Sequence, residues 1–252
     1  MKVITYDGKG FRSEEIELII EEPFTIFLNQ KEFITLLCYP KDLKELALGF
    51  LKSEGLIDEM RQVKKIYFSL DNQQIYIEAD ISNLEERLHE KRIVTTGCGK
   101  GSIFYFALDS LKCREKPIKK RYHFKELLNL MRDVSSSRGN KIHRGLHVCG
   151  LYDSERLIIK EDVGRHNALD KIIGHCLIEQ IDTSDSVVFT TGRISSEMLL
   201  KTAKTDASVL VSRSTPTSLA INLAEKLNMT VLGYVRGENL TIYSSSERII
   251  IS

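Results

Sequence analysis

The chain has 252 residues, 42% hydrophobic and 28% charged, and this ordinary composition excludes a disordered or fibrous protein. Lys and Arg number 36 against 35 Asp and Glu, so the net charge of +1 provides no global basic field for nucleic acid. No apolar run reaches the roughly 18 residues of a membrane span, and residues 1–7 show no secretory signal. The 5 cysteines lack CxxC spacing, which favours a reducing, cytoplasmic compartment over a disulfide scaffold.

The first half of the chain predicts a β-rich domain that contains one helix. Short apolar runs between turn residues predict five strands, at 16–20, 24–28, 33–38, 63–69 and 74–79. Apolar side chains recur at helical spacing from Leu43 to Leu51. We expect Asp42 to cap this helix and Gly55 to end it.

Beyond Tyr122 the pattern changes to helices that alternate with short strands. The predicted strands lie at 147–151, 157–163, 186–191, 208–211 and 230–235. The predicted helices lie at 124–134, 165–179, 195–204 and 216–227. Such alternation is typical of a layered α/β domain. We therefore predict a β-rich domain over residues 1–122 and an α/β domain over residues 123–252.

Residues 112–121 form a basic stretch that contains a single acidic residue, Glu115. Its simplest interpretation is a solvated linker between the two domains. The alternative is that it forms one wall of an anion-binding site.

One cysteine, Cys98, lies in the glycine-rich segment Gly97-Cys98-Gly99-Lys100-Gly101. Glycines admit backbone N–H groups close to a bound atom, and the Lys100 ammonium would favour the thiolate, which is the nucleophilic form. The alternative is a flexible turn whose cysteine is incidental, and the residues alone leave both open. We expect the cysteines in apolar predicted elements to lie in the core: Cys38, Cys149 and Cys176.

Three predicted strand-to-helix turns each carry an arginine, at Arg165, Arg193 and Arg213. Free N–H groups at a helix N-terminus attract anions, so Arg165 and His166 would suit phosphate, with Asp162 to orient one of them. Ser195 is the expected cap of the helix after Arg193, and Pro216 would lie in the first turn of the next. Each turn alone is an ordinary cap. Because an open α/β sheet gathers such turns at one edge, the three together predict a polyanionic ligand such as a nucleotide or phosphorylated cofactor.

The sequence lacks the signatures of several common enzyme classes. GxGxxG, Walker, HExxH and GxSxG motifs are absent. His166-Asn167-Ala168 lacks the Glu of a deaminase HxE motif, and no PCxxC segment follows Thr191. We therefore expect no zinc site.

The motifs in this order resemble the formate dehydrogenase accessory protein family (FdhD/NarQ), a group of sulfurtransferases. The resemblance spans nearly the whole chain, and its most specific element is the string EDVGRHNA at 161–168. The other matching segments are 22–26, 39–43, 46–51, 54–55, 97–99, 170–171, 192–198, 214–217 and 233–236.

The resemblance implies an α+β protein, with a cytidine-deaminase-like three-layer α/β/α domain after a smaller β-rich N-terminal domain. It implies a persulfide-type sulfurtransferase that accepts sulfur from a cysteine desulfurase on Cys98. The sulfur would pass to Mo-bis(molybdopterin guanine dinucleotide) before this cofactor is inserted into formate dehydrogenase. The family's cofactor-contacting stretch matches Tyr234, Val235, Arg236, Gly237, Glu238 and Asn239. The turns add further predicted cofactor contacts at Arg165, His166, Arg193 and Ser195.

Some family members have a second cysteine where this chain has Gly101, so a two-cysteine relay cannot operate in this segment. One thiolate can both accept and donate sulfur, so transfer through Cys98 remains the first interpretation. A cofactor-binding chaperone without sulfur transfer is the alternative. The expected partners are a cysteine desulfurase, formate dehydrogenase and the molybdenum cofactor, which a guanine nucleotide should mimic; nucleic acid and membranes are not expected. A ligand with two nucleotide ends would suit two subunits, so a homodimer is left open.

Overall fold

The computed structural model describes residues 1–69, 73–81, 113–137 and 145–251. Within these ranges the chain forms a mixed α/β fold with five α-helices and fourteen strands. The helices are α1 (Leu43–Ser53), α2 (Phe124–Ser136), α3 (Arg165–Ile178), α4 (Ser196–Lys204) and α5 (Ser218–Lys226). The segment around Cys98, with Lys100 and Gly101, lies outside the described residues.

The N-terminal half contains a hairpin and a four-stranded sheet. Its strands are β1 (Lys2–Tyr6), β2 (Phe11–Glu15), β3 (Glu22–Leu28), β4 (Lys31–Cys38), β5 (Val63–Ser69) and β6 (Gln74–Ala79). The larger sheet has the order β4-β3-β6-β5. Alternate side chains of β3, from Phe24 to Leu28, are buried against α1, as the sequence pattern predicts.

One strand prediction in this half is wrong. Residues 16–20 form no strand, and β2 lies before them, paired with β1. The turn chemistry explains the difference, because the Asp7 carboxylate accepts hydrogen bonds from the N–H groups of Lys9 and Gly10. This local turn closes the β1–β2 hairpin, which places the second strand at 11–15.

The C-terminal half is built on a six-stranded sheet with the order β13-β12-β11-β10-β8-β9. The strands of this half are β7 (Tyr122–His123), β8 (His147–Tyr152), β9 (Leu157–Asp162), β10 (Val187–Thr190), β11 (Val209–Ser212), β12 (Thr230–Arg236), β13 (Asn239–Ser244) and β14 (Ile249–Ile250). Helix α2 packs on one face, and α3, α4 and α5 contribute to the apolar cluster on the other. The sheet therefore lies between two helical layers. Likeness to cytidine deaminases and a domain boundary near Tyr122 stay predictions.

The two halves join where α1 crosses α3, and two glycines allow the helices to touch. A Cβ atom on Gly49 would lie 1.7 Å from the Asp170 carbonyl oxygen, and one on Gly174 would lie 1.8 Å from the Glu45 carbonyl oxygen. Only glycine permits this backbone-to-backbone approach. The contact fixes the N-terminal half against the helix that begins at Arg165.

The strand directions bring the carboxyl ends of several strands to one edge of the central sheet. Strands β10, β11 and β12 are parallel, so their carboxyl ends share that edge. Strand β8 runs antiparallel to β10, and β9 antiparallel to β8, so Asp162 at the end of β9 also lies there. This edge is the place where an open α/β sheet usually binds ligands.

Candidate functional site

The three predicted arginine-bearing turns lie side by side at this edge. The Arg213 N–H donates to the Thr190 carbonyl at 3.2 Å, and Ile194 forms a bridge with Pro216. The Tyr234 N–H donates to the Ser214 carbonyl at 2.9 Å, which joins the end of β12 to the same group. We call this surface the arginine edge, defined by Arg165, Arg193, Arg213 and Arg236.

Arg165 begins α3 and packs against the neighbouring turn. A Cβ atom on Gly192 would lie 3.0 Å from Cδ of Arg165 and 3.3 Å from Nδ1 of His147. Glycine at 192 therefore leaves the space that the arginine side chain occupies. The Nε atom of Arg165 is buried and has no hydrogen-bond partner among the described residues. A buried guanidinium N–H normally has a partner, so this unfilled donor favours a bound acceptor such as an anion.

His166 follows in the same helical turn and faces Glu197 of α4, with 3.4 Å between Nε2 and Oε2. Partial burial, followed by the positive charges of Arg165 and Lys201, lowers the pKa of His166 to about 3. These effects exceed the influence of the nearby carboxylate. His166 is therefore a neutral imidazole at neutral pH, able to donate or accept one hydrogen bond at each nitrogen.

Asp162 orients neither Arg165 nor His166 directly, and this part of the sequence prediction is wrong. Its carboxylate lies 2.7 Å from Nζ of Lys171, and both side chains are 0% exposed. A buried carboxylate requires a charged partner, and Lys171, in the second turn of α3, is that partner. The local pair between Asp162 and Arg165 that simple capping would give is not formed either.

The turns before α4 and α5 agree with the sequence prediction at one cap and differ from it at Pro216. Ser195 accepts a hydrogen bond from the Met198 N–H at 3.3 Å, which confirms its predicted role as a helix cap. Arg193 beside it is exposed to solvent. Thr217 caps α5, so Pro216 lies just before the helix and not in its first turn.

The end of β12 presents an aromatic ring and a fourth arginine. Tyr234 is 47% exposed and has a φ of 55°, a left-handed conformation that is rare for a bulky residue. The Arg236 guanidinium carbon lies 4.9 Å from the centre of the Tyr234 ring, and its Nε donates to the Arg213 carbonyl at 3.0 Å. The stacked pair gives the edge a flat, partly apolar surface of the kind on which a nucleobase can stack.

The remaining residues of the predicted cofactor-contacting stretch divide into two groups. Val235 is 3% exposed and belongs to the apolar cluster under α2, so its side chain serves the core. Gly237 has a φ of 59°, which suits glycine in the turn between β12 and β13. Glu238 and Asn239 are exposed beside it.

The cysteines of the described ranges include the three that we predicted to be buried. Cys38, Cys149 and Cys176 are all at most 5% exposed, which confirms that prediction. Burial raises the pKa of each of these thiols to about 12, so none is a thiolate at neutral pH. Cys98, the predicted sulfur carrier, lies outside the described residues.

The basic stretch lies away from the arginine edge, where the parallel strands begin. Lys116 is 5% exposed, and its Nζ lies 2.8 Å from Oδ1 of Asp206, which precedes β11. Its carbonyl oxygen accepts a hydrogen bond at 2.7 Å from Arg248, which is 0% exposed. We call this region the opposite edge, defined by Lys116, Asp206 and Arg248. The described part of the stretch is thus a strap across the opposite edge and not a wall of the arginine edge.

The arginine edge combines cations, a neutral imidazole and an exposed aromatic ring, which together suit a nucleotide or another phosphorylated ligand. Within the described ranges, no cluster of His, Cys, Asp and Glu has the composition of a metal site. None of the helices in those ranges is long and apolar enough to cross a membrane.

Comparison with known proteins gives consistent matches along the chain. The FdhD/NarQ family profile matches residues 19–250. The chain is 38% identical over 249 residues to sulfur carrier protein FdhD of Bacillus subtilis, with 97% of this chain and 94% of that protein covered. It is 40% identical over 249 residues to the Bacillus pumilus protein of the same name, with the same coverage.

A solved structure has the same fold. A crystal structure described as a formate dehydrogenase accessory protein from Desulfotalea psychrophila superimposes with a TM-score of 0.81 and 29% identity. The match covers 99% of this chain and 98% of that one. The described geometry and these full-length matches lead to one conclusion: the chain belongs to the FdhD/NarQ family.

Proposed function

We propose that the chain is a sulfur carrier that serves formate dehydrogenase as a persulfide-type sulfurtransferase. Cys98 accepts sulfur from a cysteine desulfurase and passes it to Mo-bis(molybdopterin guanine dinucleotide), the substrate held at the arginine edge. Relatives that cover nearly the whole chain are named sulfur carrier proteins, which supports the carrier role. The single structural observation that carries the proposal is the gathering of the arginine-bearing turns at one edge of the sheet.

The arginine edge supplies the binding part of this function. Arg165, Arg193 and Arg213 follow β9, β10 and β11, whose carboxyl ends share one edge of the sheet, and they would meet the phosphates of the dinucleotide ends. The exposed ring of Tyr234 with Arg236 would stack on a guanine base. Gly237, Glu238 and Asn239 would surround the nucleoside. A guanine nucleotide alone should therefore bind to the same surface.

The sulfur step would use the Cys98 thiolate as nucleophile. It attacks the terminal sulfur of the desulfurase persulfide, and the donor S–S bond breaks as the new bond to Cys98 forms. The desulfurase cysteine leaves as a thiolate, so this step needs no added oxidant or reductant. The glycines on either side of Cys98 in the sequence have no side chain that could crowd the additional sulfur atom. Binding at the arginine edge would orient the cofactor for transfer, and fixed orientation of reacting groups can supply a large part of a rate gain.

The decisive experiment is complementation of a strain that lacks this protein. We expect Cys98→Ala to abolish formate dehydrogenase activity and Cys113→Ala, which changes a half-buried thiol, to retain it. Mass spectrometry after incubation with a desulfurase and cysteine should show one added sulfur atom on Cys98. Full activity of Cys98→Ala would show that the assignment of the sulfur-carrying residue is wrong.

A second candidate function is a cofactor chaperone without sulfur transfer. Gly101, where some relatives have a second cysteine, favours it. The same two assays separate the functions, because a chaperone would keep its activity in Cys98→Ala and would gain no sulfur on Cys98.

A further inference from the structure

A buried ion pair lies at the base of the arginine edge and takes no part in the binding or sulfur steps described above. Asp162 ends β9 and Lys171 lies in α3, and both side chains are 0% exposed. Burying charged groups has a large desolvation cost. The donor and acceptor atoms of a buried ion pair therefore need hydrogen-bond partners inside the protein. The partners of this pair connect two distant parts of the chain.

The Asp162 carboxylate binds backbone from both halves of the protein. Its Oδ1 accepts hydrogen bonds from the Gly164 N–H and from Nδ2 of Asn167, each at 3.0 Å. Its Oδ2 accepts one from the Tyr39 N–H at 3.2 Å. Gly164 is the residue that caps α3, so one carboxylate links the start of this helix to the segment that follows β4.

Lys171 and Asn167 bind the same N-terminal segment. Nζ of Lys171 donates to the Tyr39 carbonyl at 2.9 Å and to the Glu161 carbonyl at 3.1 Å. Nδ2 of Asn167 donates to the Leu37 carbonyl at 2.9 Å. Arg165 lies in the helical turn between Gly164 and Asn167, so the backbone that carries it is held on both sides.

We propose that Asp162, Asn167 and Lys171 are positioning residues for the arginine edge. They hold the first turn of α3 against the backbone of residues 37–39, so that the Arg165 guanidinium is in place before an anion arrives. Binding groups held in advance bind more tightly, because their ordering is not paid for at the moment of binding. The proposal rests on the proposed function for the identity of the ligand, and it adds residues that touch no ligand themselves.

The test uses Asn167→Ala in the full-length protein, with guanosine diphosphate as the probe. This change removes the amide contacts to Leu37 and Asp162 and leaves the buried ion pair intact. We expect the dissociation constant to rise about tenfold. The control is Asn228→Gly, because Nδ2 of Asn228 donates to the Lys116 carbonyl at 2.9 Å on the opposite edge, and its φ of 49° suits glycine. The control should bind the probe within about twofold of the wild type, even if it loses as much thermal stability as Asn167→Ala does.

A double-mutant cycle with Arg165→Ala separates positioning from a general loss of structure. If Asn167 acts through Arg165, Asn167→Ala should change the affinity less than about twofold once Arg165 is already alanine. Weaker binding in Arg165→Ala with unchanged binding in Asn167→Ala would overturn the positioning proposal and leave the proposed function standing. Unchanged binding in Arg165→Ala would contradict both. Equal weakening in Asn167→Ala and Asn228→Gly would mean a loss of fold and would also overturn the positioning proposal.

Discussion

The two edges of the central sheet both carry basic side chains, yet these side chains have different surroundings. At the opposite edge, Lys116 pairs with Asp206, and the fully buried Arg248 donates to two backbone carbonyl groups. At the arginine edge, Arg193 and Arg236 are exposed to solvent. A cation that is already paired and buried must lose its partners before it can bind an anion. The surroundings of the basic residues, and not their number, therefore distinguish a candidate site from a structural strap.

The direction of the chain explains this difference. The carboxyl ends of β10 and β11 lead into the N-termini of helices, where free N–H groups and a partial positive charge favour anions. The helix C-termini lie at the opposite edge, where carbonyl groups need donors. There the Lys116 N–H donates to the carbonyl of Leu227, the residue that follows α5. Basic residues at the two edges consequently meet opposite partial charges.

The largest effect should come from the buried arginine of the opposite edge. Arg248→Met removes hydrogen bonds to Thr230 and to the Lys116 and Pro117 carbonyls. We expect the free energy of unfolding to fall by about 3–5 kcal/mol, since bonds to a charged group are among the stronger ones. Urea unfolding measures this change. The affinity for guanosine diphosphate, measured on the folded variant, should stay within about twofold. A tenfold loss of affinity would show that the opposite edge also contributes to ligand binding, which contradicts the difference between the two edges.

The converse result is expected at the arginine edge. Arg193→Ala should weaken the binding of guanosine diphosphate about ten- to hundredfold, the value of one charge-assisted contact to phosphate. Because Arg193 is exposed, the free energy of unfolding should change by less than about 0.5 kcal/mol. Calorimetric titration and urea unfolding give the two values. Unchanged affinity would remove Arg193 from the site.

A pH-dependent effect should distinguish His166 from an ordinary surface histidine. The pKa of His166 is about 3 in the folded chain, whereas an unfolded histidine has a pKa of about 6.5. Below pH 6.5 the unfolded state therefore binds a proton that the folded state does not. The free energy of unfolding consequently decreases as the pH is lowered. Between pH 7 and pH 5 this histidine alone should cost about 2 kcal/mol. His166→Gln should lose less stability than the wild type over this interval in urea unfolding, and parallel losses would contradict the assignment.

The smallest effect should come from an exposed lysine of the strap. Nζ of Lys119 lies 3.8 Å from Asp185, and its side chain is 64% exposed. Exposed ion pairs contribute little, so Lys119→Ala should change the free energy of unfolding by less than about 0.5 kcal/mol. It should leave guanosine diphosphate binding unchanged, which makes it the charge-matched control for Arg193→Ala. Weaker binding in this variant would show that the strap contributes to the ligand surface after all.

Local pattern was sufficient for much of the fold. The spacing of apolar residues placed all five helices of the described ranges and most of their strands, and the predicted cap at Ser195 is present. It failed where side chains have distant partners. Asp42 was expected to cap α1, but its carboxylate lies 3.1 Å from Nζ of Lys160 and makes no cap hydrogen bond. No short-range spacing could indicate a partner more than a hundred positions away.

The sequence by itself determined the order of the helices and of most strands in the described ranges, the turns that carry Arg165, Arg193 and Arg213, and the core positions of three cysteines. These depend on residue type and local periodicity. Only the tertiary structure decided that Asp162 binds Lys171 and Tyr39, and that Lys116 is buried beside Asp206. Burial of a charge depends on which distant groups can pair with it, and chain folding alone brings those groups together.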